Sequence, residues 1–216
     1  MKLFGTLLAF IGRVLLPHSA RQLNSTIRRT NAHRAMRRSP PTLVAALVAG
    51  EDHRFYRHKG VDPIAIASAL FRLVVRGKLS GASTIEQQLV RVLTGERERT
   101  LRRKLKEILL AAYTSNNYSK SDIAEMYLGV AHFGWGMNGA EEACRYLSIP
   151  LPEASRRQAA SLIARLKYPQ PYALTAEHQF LIARRTEHIL MLMSRTQETI
   201  QREVPSDAPV LDIREM

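Results

Sequence analysis

The sequence predicts a fold that is all-α or nearly so, built around one main domain. Apolar residues recur at helical spacing in one segment after another, and proline, serine or threonine opens several of these segments. Alternation of apolar and polar residues, which would indicate strands, does not form a clear run. A chain of 216 residues with 45% apolar residues is large enough to bury one sizeable core.

The helices of the main domain are predicted from their start and stop signals. Pro40 and Pro41 open the first, Asp62-Pro63 opens the second, and Gly77 ends the second. The predicted helical ranges are 42–50, 64–75, 83–94, 100–113, 119–128, 140–146, 152–166 and 176–202.

Caps and turns within this series give more specific predictions. Ser83 and Glu86 have the spacing of a capping box, which makes Ser83 the expected N-cap of its helix. Leu101 and Leu105 begin the apolar stripe of the following helix. Gly129, Gly134, Gly136 and Gly139 are typical of a tightly turned loop.

Composition divides the chain into four regions. Residues 1–25 hold a short apolar or amphipathic segment, expected to be an anchor, and 26–39 form a basic linker. Residues 40–204 are the main domain and 205–216 a flexible tail. The apolar part, 3–16, is shorter than the roughly 20 residues that span a bilayer, so it favours a membrane-surface anchor or a marginal span. Packing on the domain is the alternative.

The chain carries a large excess of positive charge. Its 32 Lys and Arg residues against 19 Asp and Glu residues give a net charge of +13. This excess indicates a polyanionic neighbour: nucleic acid, an anionic membrane surface or a phosphate-bearing substrate. Cys144 is the single cysteine, so an intrachain disulfide and a Cys-rich zinc site are excluded.

A pair of acids stands where the first apolar helix of the main domain ends. Glu51 lies one turn beyond Leu47, on the face most suited to burial, and Asp52 follows it. A carboxylate partly removed from water has a raised pKa, which suits a general base. Taken alone, the pair is equally compatible with ordinary acids at a helix end.

A second acid lies within a dense run of basic residues. Arg103 and Glu107 are four residues apart and therefore share one helix face. Leu110 and Ala111 flank Glu107, which indicates a cleft wall more than open solvent. The surrounding basic residues are Arg97, Arg99, Arg102, Arg103, Lys104 and Lys106. Such a run is by itself most often a solvated helix face.

Four blocks of sequence together are far more specific. They are Glu51-Asp52-x-x-Phe55-x-x-His58-x-Gly60-x-Asp62, Gly81-x-Ser83-Thr84-x-x-Gln87-Gln88, Arg103-Lys104-x-x-Glu107, and Ile123-x-Glu125-x-Tyr127-Leu128 with Phe133-Gly134. In order and spacing, this series resembles the peptidoglycan glycosyltransferases of glycosyltransferase family 51. The resemblance covers roughly residues 40–194.

The resemblance implies a lysozyme-like helical domain with two lobes around a central cleft. It implies polymerisation of lipid II into β-1,4-linked glycan strands, with inversion at the donor anomeric carbon and release of undecaprenyl pyrophosphate. No organic cofactor is implied, because the donor carries its own leaving group, although a divalent ion, Mg or Mn, near Glu107 is possible in such a site. The implied setting is a bacterial cytoplasmic membrane, with residues 40–204 as a glycosyltransferase domain on its periplasmic or outer side.

The resemblance also implies roles for individual residues. Glu51 corresponds to the general base that takes the proton of the acceptor 4-hydroxyl, and Glu107 to a second carboxylate near the donor pyrophosphate. The substrate-binding residues implied are Asp52, Phe55, His58, Ser83, Thr84, Gln87, Gln88, Arg91, Arg99, Arg103 and Lys104. The partners implied are lipid II, the growing strand, the membrane surface and cell-wall synthesis proteins.

The physical chemistry of these residues agrees with the implied roles. A departing pyrophosphate gathers negative charge, and fixed guanidinium groups stabilise it where it develops. A cation near Glu107 would keep that carboxylate ionised, whereas the apolar turn before Glu51 has the opposite effect. Two carboxylates in contrasting environments are typical of divided catalytic roles.

The sequence departs from the family pattern at several positions. Gly129 stands where the family usually has Asn, Arg91 replaces a Lys, Ala82 a Gly and Val92 an Asn. None of these changes removes a carboxylate, so an active enzyme is expected. Because the chain ends soon after its last helix, the expectation is a monofunctional enzyme without a transpeptidase domain.

Three other functions fit parts of the sequence. A lysozyme-like glycan-cleaving enzyme would explain the carboxylates but not the Arg and Lys cluster. A catalytically weakened homologue acting as a cell-wall scaffold is suggested by Gly129. A basic helical nucleic-acid-binding protein would explain the charge, but aromatic residues make up only 6% of the chain and no reader motif is present, so nucleic acid is not expected as a partner.

Overall fold

The computed structural model describes residues 2–32, 38–77, 83–96, 98 and 100–203. Arg99, Ala82 and the tail 205–216, which the sequence singles out, lie outside the described residues. The described helices are α1 Lys2–Leu15, α2 Pro17–Ala32, α3 Pro41–Glu51, α4 Pro63–Arg76, α5 Ile85–Thr94, α6 Leu101–Asn117, α7 Lys120–Val130, α8 Ala140–Tyr146, α9 Arg156–Lys167 and α10 Ala176–Glu203. The prediction of a mostly α-helical domain is confirmed.

The core forms where α3 meets its neighbours. Helix α3 packs against α9, α10 and α7, and α5 packs against α6 and α7. Leu43 and Leu47 of α3, Leu110 of α6, Ile163 of α9 and Ile189 of α10 are all fully buried in one cluster. Because α3 is held on several sides, its C-terminal residue Glu51 has a fixed position, which suits a catalytic group.

A small antiparallel hairpin interrupts the helices and was not predicted. Strand β1, His132–Gly134, pairs with β2, Met137–Asn138, between α7 and α8. The strands are too short for an alternating pattern to stand out in the sequence. The tight turn predicted from the glycines is present at Gly134, Gly136 and Gly139, but it begins later than predicted, because Gly129 lies within α7.

Two further predictions about helix faces and caps were wrong. Thr84, not Ser83, is the N-cap of α5, and its hydroxyl accepts a hydrogen bond from the Gln87 backbone N–H. Leu101 and Leu105 are 86% and 61% exposed, so they do not face the core. The buried face of α6 instead carries Glu107, Leu110 and Ala111, and a charged residue can be buried there because cations pair with it.

The N-terminal helices lie against the domain. Helix α1 packs along α6, and Leu23 and Ile27 of α2 are buried in the main core. The side-chain amide of Asn24 donates to the Tyr113 hydroxyl at 2.7 Å. Helix α2 therefore crosses the boundary predicted between residues 25 and 26. The division of the chain into anchor, linker, domain and tail stays a prediction.

Length and apolar content decide whether a helix can cross a bilayer. None of the described helices alone has the length and apolar content needed to cross a bilayer. The segments Leu3–Leu15 and Pro17–Thr30 pass that test only as a pair, and they meet at an angle of 104°.

The loop after α3 approaches α6 closely at Gly60. Its φ of 78° lies in the left-handed region, and a Cβ there would stand 2.4 Å from the Ala111 carbonyl oxygen. Only glycine fits this contact without displacing one of the two backbones. The Gly60 carbonyl in turn accepts a hydrogen bond from the Thr84 hydroxyl at 2.7 Å. These contacts bring the end of α3, the start of α5 and the middle of α6 together.

Candidate active site

Glu51 ends α3 as a largely buried carboxylate with two polar partners. Its side chain is 14% exposed. The Gln88 side-chain amide donates to one carboxylate oxygen at 3.1 Å, and an Arg185 Nη2 lies 3.4 Å from the other. Arg185 also donates to the Gly50 carbonyl, which holds its guanidinium across the end of the helix. The carboxylate is thus oriented but not neutralised by close ion pairing.

The pKa of Glu51 is raised above its ordinary value. Burial causes the rise, while the Gln88 hydrogen bond and the positive charges of Arg185 and Lys167 act in the opposite direction. The expectation of a carboxylate partly withdrawn from water is confirmed. A carboxyl group with a raised pKa is a stronger base once ionised, which suits proton abstraction from a hydroxyl.

The loop after Glu51 is held from beneath by buried polar contacts. Asp52 lies 3.0 Å from the His58 Nε2 and accepts the Ile85 backbone N–H at 3.2 Å, so it ties the end of α3 to the start of α5. Phe55 is fully buried, and Arg54 pairs with Asp62 at 2.8 Å. Asp52, Phe55 and His58 therefore lie below the site, where they position Glu51, and direct substrate contact by them stays a prediction.

Glu107 is surrounded by cations. Its oxygens accept hydrogen bonds from Arg91 Nε and Nη2 at 3.0 and 3.2 Å, Arg103 Nη1 at 2.5 Å and Lys104 Nζ at 2.5 Å. We call Arg91, Arg103 and Lys104 the cation cluster. Burial opposes ionisation of Glu107, but the hydrogen bonds from Arg91 and Lys104 and their charges outweigh it and lower its pKa. Glu107 is therefore ionised and organises the cluster.

The departure at Arg91 is explained by this geometry. The planar guanidinium binds both Glu107 oxygens through two parallel hydrogen bonds, which a lysine ammonium could not reproduce. The Arg91 side chain is still 41% exposed, so the charge of the cluster reaches solvent. Of the other described departures, Val92 is 42% exposed and Gly129 lies within α7.

The predicted polar residues of α5 and the turn before it join the cluster. Lys104 Nζ donates to the Gln87 side-chain oxygen at 2.7 Å and to the Ser83 hydroxyl at 3.2 Å. Burial lowers the pKa of Lys104, while Glu107 raises it. Thr84 is buried and caps α5, and its contact with the donor substrate stays a prediction.

Helix α5 connects the two carboxylates. Gln88, which binds Glu51, and Arg91, which binds Glu107, are three residues apart and lie on one face of this helix. The Tyr127 hydroxyl donates to the Gln88 side-chain oxygen at 2.5 Å and fixes the orientation of that amide. Glu51 and Glu107 are thus both bound from one helix, and their pKa values shift in opposite directions. That the two act in one catalytic site stays a prediction.

Sequence reasoning missed two residues that complete this site. Tyr127 was noted only as part of a motif, and Arg185 was placed on an amphipathic helix without a role. Burial raises the pKa of Tyr127, and the negative charge of Glu51 raises it further. No local pattern distinguishes Arg185 from the exposed Arg184 beside it. Only the packing of α10 against α3 shows which of the two reaches Glu51.

A divalent metal at Glu107 does not fit the surroundings of this residue, because three cationic side chains already bind its oxygens. Among the described residues, Asp52, His58 and Glu86 can bring ligand atoms within 4.8 Å of one another. Asp52 is bound by His58, however, and Glu86 is paired with Lys120.

Comparison with known proteins places the chain in a family. The family model described as Transglycosylase matches residues 19–194. Penicillin-binding protein 1A of Aquifex aeolicus is 41% identical over 135 residues, which cover 62% of this chain and 19% of that protein. Penicillin-binding protein 2D of Bacillus subtilis is 35% identical over 178 residues, which cover 79% of this chain and 26% of that protein.

These relatives are much longer than the region they share with this chain. The chain spans about a fifth of the length of the Aquifex aeolicus protein. Penicillin-binding protein 1A of Escherichia coli shows the same relation, with 36% identity over 148 residues that cover 17% of that protein. The matched region contains Glu51, Glu107 and the cation cluster. The chain therefore belongs to the transglycosylase family, the peptidoglycan glycosyltransferases that its sequence blocks resemble.

Proposed function

We propose that the chain polymerises lipid II into β-1,4-linked glycan strands. The observation that carries this proposal is the pair of carboxylates attached to one face of α5, one with a raised pKa and one held ionised by cations. The first suits a base and the second organises a site for a polyphosphate leaving group. Family membership supports the same reaction class.

In the proposed reaction Glu51 takes the proton of the acceptor 4-hydroxyl. The freed oxygen forms a bond to the donor anomeric carbon from the side opposite the leaving group, and the bond to undecaprenyl pyrophosphate breaks with inversion. The leaving group carries away the electron pair of the broken bond. Arg91, Arg103 and Lys104 stabilise its growing charge, and the exposed part of Arg91 is placed to make that contact.

Gln88 and Arg185 have supporting roles in this proposal. Each holds one oxygen of Glu51, so the lone pair that receives the proton has a defined direction. Their effect on the pKa of Glu51 is also balanced against burial, because both lower what burial raises. Burial is the largest of these effects, so the pKa of Glu51 is raised and its ionised carboxylate is a stronger base.

We further propose that the chain works at the outer side of a bacterial cytoplasmic membrane. Leu3, Leu7 and Phe10 of α1 are 88%, 57% and 65% exposed while the opposite face of the helix packs on α6. Phe71 and Val74 of α4 are 68% and 85% exposed. Apolar side chains on a strongly basic protein suit attachment to an anionic lipid surface, where the donor also resides. Cell-wall synthesis proteins stay possible partners.

The test is incubation of the full chain with fluorescent lipid II, followed by electrophoresis of the products. We expect a ladder of glycan polymers, and Glu51→Gln should slow its formation by roughly 100- to 10,000-fold, the usual contribution of positioned proton transfer. Glu141→Gln is the matched control, because Glu141 lies on the exposed face of α8. A ladder unaffected by Glu51→Gln would remove the base assignment, and shortening of preformed glycan would favour the cleaving enzyme.

A further inference from the structure

Two exposed aromatic rings form a pair beside the hairpin, and the site described above does not use them. Trp135 lies in the turn between β1 and β2, and Tyr172 lies in the loop after α9. Their ring centroids are 4.6 Å apart at an interplanar angle of 68°. They are 55% and 74% exposed, so neither ring belongs to the core. We call Trp135 and Tyr172 the aromatic platform.

The backbone beneath the platform is fixed. The Trp135 N–H donates to the Gln170 carbonyl at 2.8 Å, and the Gln170 N–H donates to the Phe133 carbonyl at 3.0 Å. These bonds join the hairpin to the loop as a short parallel bridge. Gly134 permits this contact, because a Cβ there would lie 2.4 Å from the Gln170 carbonyl oxygen. The two rings are therefore carried by one connected piece of backbone.

Side chains and prolines add to this rigidity. Arg165 Nε donates to the Gln170 side-chain oxygen at 3.0 Å, and the His178 ring Nε2 lies 2.9 Å from the Pro169 carbonyl oxygen. Pro169 and Pro171 restrict the backbone on both sides of Gln170. A large apolar surface that is exposed and already ordered loses little entropy on binding, which is the property of a recognition surface.

The platform is connected to the base by a short piece of chain. Lys167, at the end of α9, is close enough to Glu51 to lower its pKa electrostatically. Tyr172 is five positions after Lys167, so their Cα atoms are at most about 17 Å apart even for an extended chain. The hairpin packs against α8 and α9, whereas the apolar helix α1 packs against α6 and α2. The platform is therefore carried by elements that pack on α9, next to Lys167, and α1 is not among them.

We propose that the aromatic platform binds the glycan strand by stacking against its sugar rings. In a β-linked gluco-configured pyranose the hydroxyl groups are equatorial, so the faces of the ring present C–H bonds. These weakly positive hydrogens are attracted to the negative face of an indole or phenol ring, and the contact buries apolar area. This inference rests on the proposed function, since it supplies the occupant, and it assigns a glycan contact beyond the carboxylates.

Trp135 provides the test, because it is the only tryptophan of the chain. Its fluorescence is to be followed while the β-1,4-linked hexamer of N-acetylglucosamine is titrated into the full-length protein. We expect a saturable change in emission, and Tyr172→Ala should raise the Kd at least about threefold, as expected for the loss of one ring contact. Tyr146→Ala is the control, because Tyr146 is an exposed aromatic residue on α8, 46% accessible. An equal effect of both variants, or no change in emission, would overturn the proposal.

Calorimetric titration with the same hexamer distinguishes the loss of the Trp135 ring contact from a loss of folded structure. Trp135→Phe should retain most of the binding and Trp135→Ala should lose it, while both keep the wild-type melting temperature. Equal binding by these two variants would refute stacking. An emission change with anionic phospholipid vesicles instead of the hexamer would also refute it, in favour of a membrane contact.

The proposed function and the platform can fail separately. If the hexamer binds but lipid II is not polymerised, the glycan contact stands and the proposed reaction falls. If lipid II is polymerised but the hexamer does not bind, the platform is refuted and the reaction stands.

Discussion

Replacement of Glu107 by Gln tests whether this residue organises the cation cluster. The Glu107 side chain is 3% exposed and accepts four hydrogen bonds, two from Arg91 and one each from Arg103 and Lys104. Glutamine has nearly the same shape but no charge and only one acceptor oxygen. The variant therefore leaves three positive groups facing one another with half of their acceptors removed.

The expected loss of stability follows from these contacts. A hydrogen bond to a charged group contributes about 1.5–3 kcal/mol. Glu107→Gln removes the acceptor oxygen that binds part of the cluster and the opposite charge that the cluster faces. The Arg91 and Lys104 side chains are 41% and 34% exposed, so solvent reduces their share to that of surface pairs. We expect Glu107→Gln to lower the free energy of unfolding by about 2–3 kcal/mol.

Urea unfolding at neutral pH measures this difference, with Glu96→Gln as the control. Glu96 pairs with Lys106 at 2.5 Å but its side chain is 37% exposed, so its loss should cost less than about 1 kcal/mol. Because the pKa of Glu107 is lowered in the folded state, its stabilisation is present above the ordinary value of 4.5. It is lost as the pH falls through the folded pKa, so the two proteins should converge in acid.

Two results would refute this reasoning about Glu107. A decrease in the free energy of unfolding of less than about 1 kcal/mol would mean that the cluster does not depend on the carboxylate. If the difference in this free energy between wild type and Glu107→Gln stays constant as the pH falls, the charge of Glu107 is not the source of the stabilisation.

The remaining predictions concern the base and the hairpin. Arg185→Gln removes a cation that lowers the pKa of Glu51, so the rise of the polymerisation rate with pH should move to higher pH. Arg184→Gln, at an exposed neighbouring residue, should leave the pH profile unchanged, and equal profiles for the two variants would contradict this prediction. Gly134→Ala should lower the melting temperature more than Gly136→Ala. Both glycines have positive φ, but only at Gly134 would the added Cβ meet backbone, at 2.4 Å. Equal decreases in melting temperature would rule out the close approach at Gly134.

Most of the helical fold could be predicted because its signals are local. The start of α4 at Pro63 and the extent of α8 follow from caps, prolines and apolar spacing, and the structure agrees with them. The cap of α5 was misassigned because Ser83 and Thr84 are adjacent and chemically alike. Their difference lies in the Gly60 carbonyl that the Thr84 hydroxyl also reaches, a contact 24 residues away in sequence.

The buried face of α6 shows a different limit of sequence reasoning. Leu101 and Leu105 looked like core residues because leucine is usually buried, and Glu107 looked like a residue for the cleft wall. The second reading was the more accurate, because the cation cluster compensates the charge of Glu107. Part of this compensation comes from Arg91 of α5, so it could not be judged in full from α6 alone.

The sequence singled out the two acids of the candidate site, but not all of the residues that hold them in place. Glu51 and Glu107 stand out through motif spacing, whereas Arg185 lies 134 residues from Glu51 and carries no local signal. Tyr127 belongs to a motif, but its hydrogen bond to Gln88 depends on how α7 crosses α5. Contacts such as those of Arg185 and Tyr127 depend on tertiary packing, which the spacing of apolar residues in the sequence does not describe.

The state of the single cysteine has a practical consequence. Cys144 is 2% exposed on α8, and burial raises the pKa of its thiol to about 11. The thiolate is the form that reacts with maleimides and disulfides, so the Cys144 side chain is unreactive toward such reagents at neutral pH. A cysteine introduced beside Glu51 or on the outer face of α1 would carry a probe alone, which makes the native sequence a ready background for labelling.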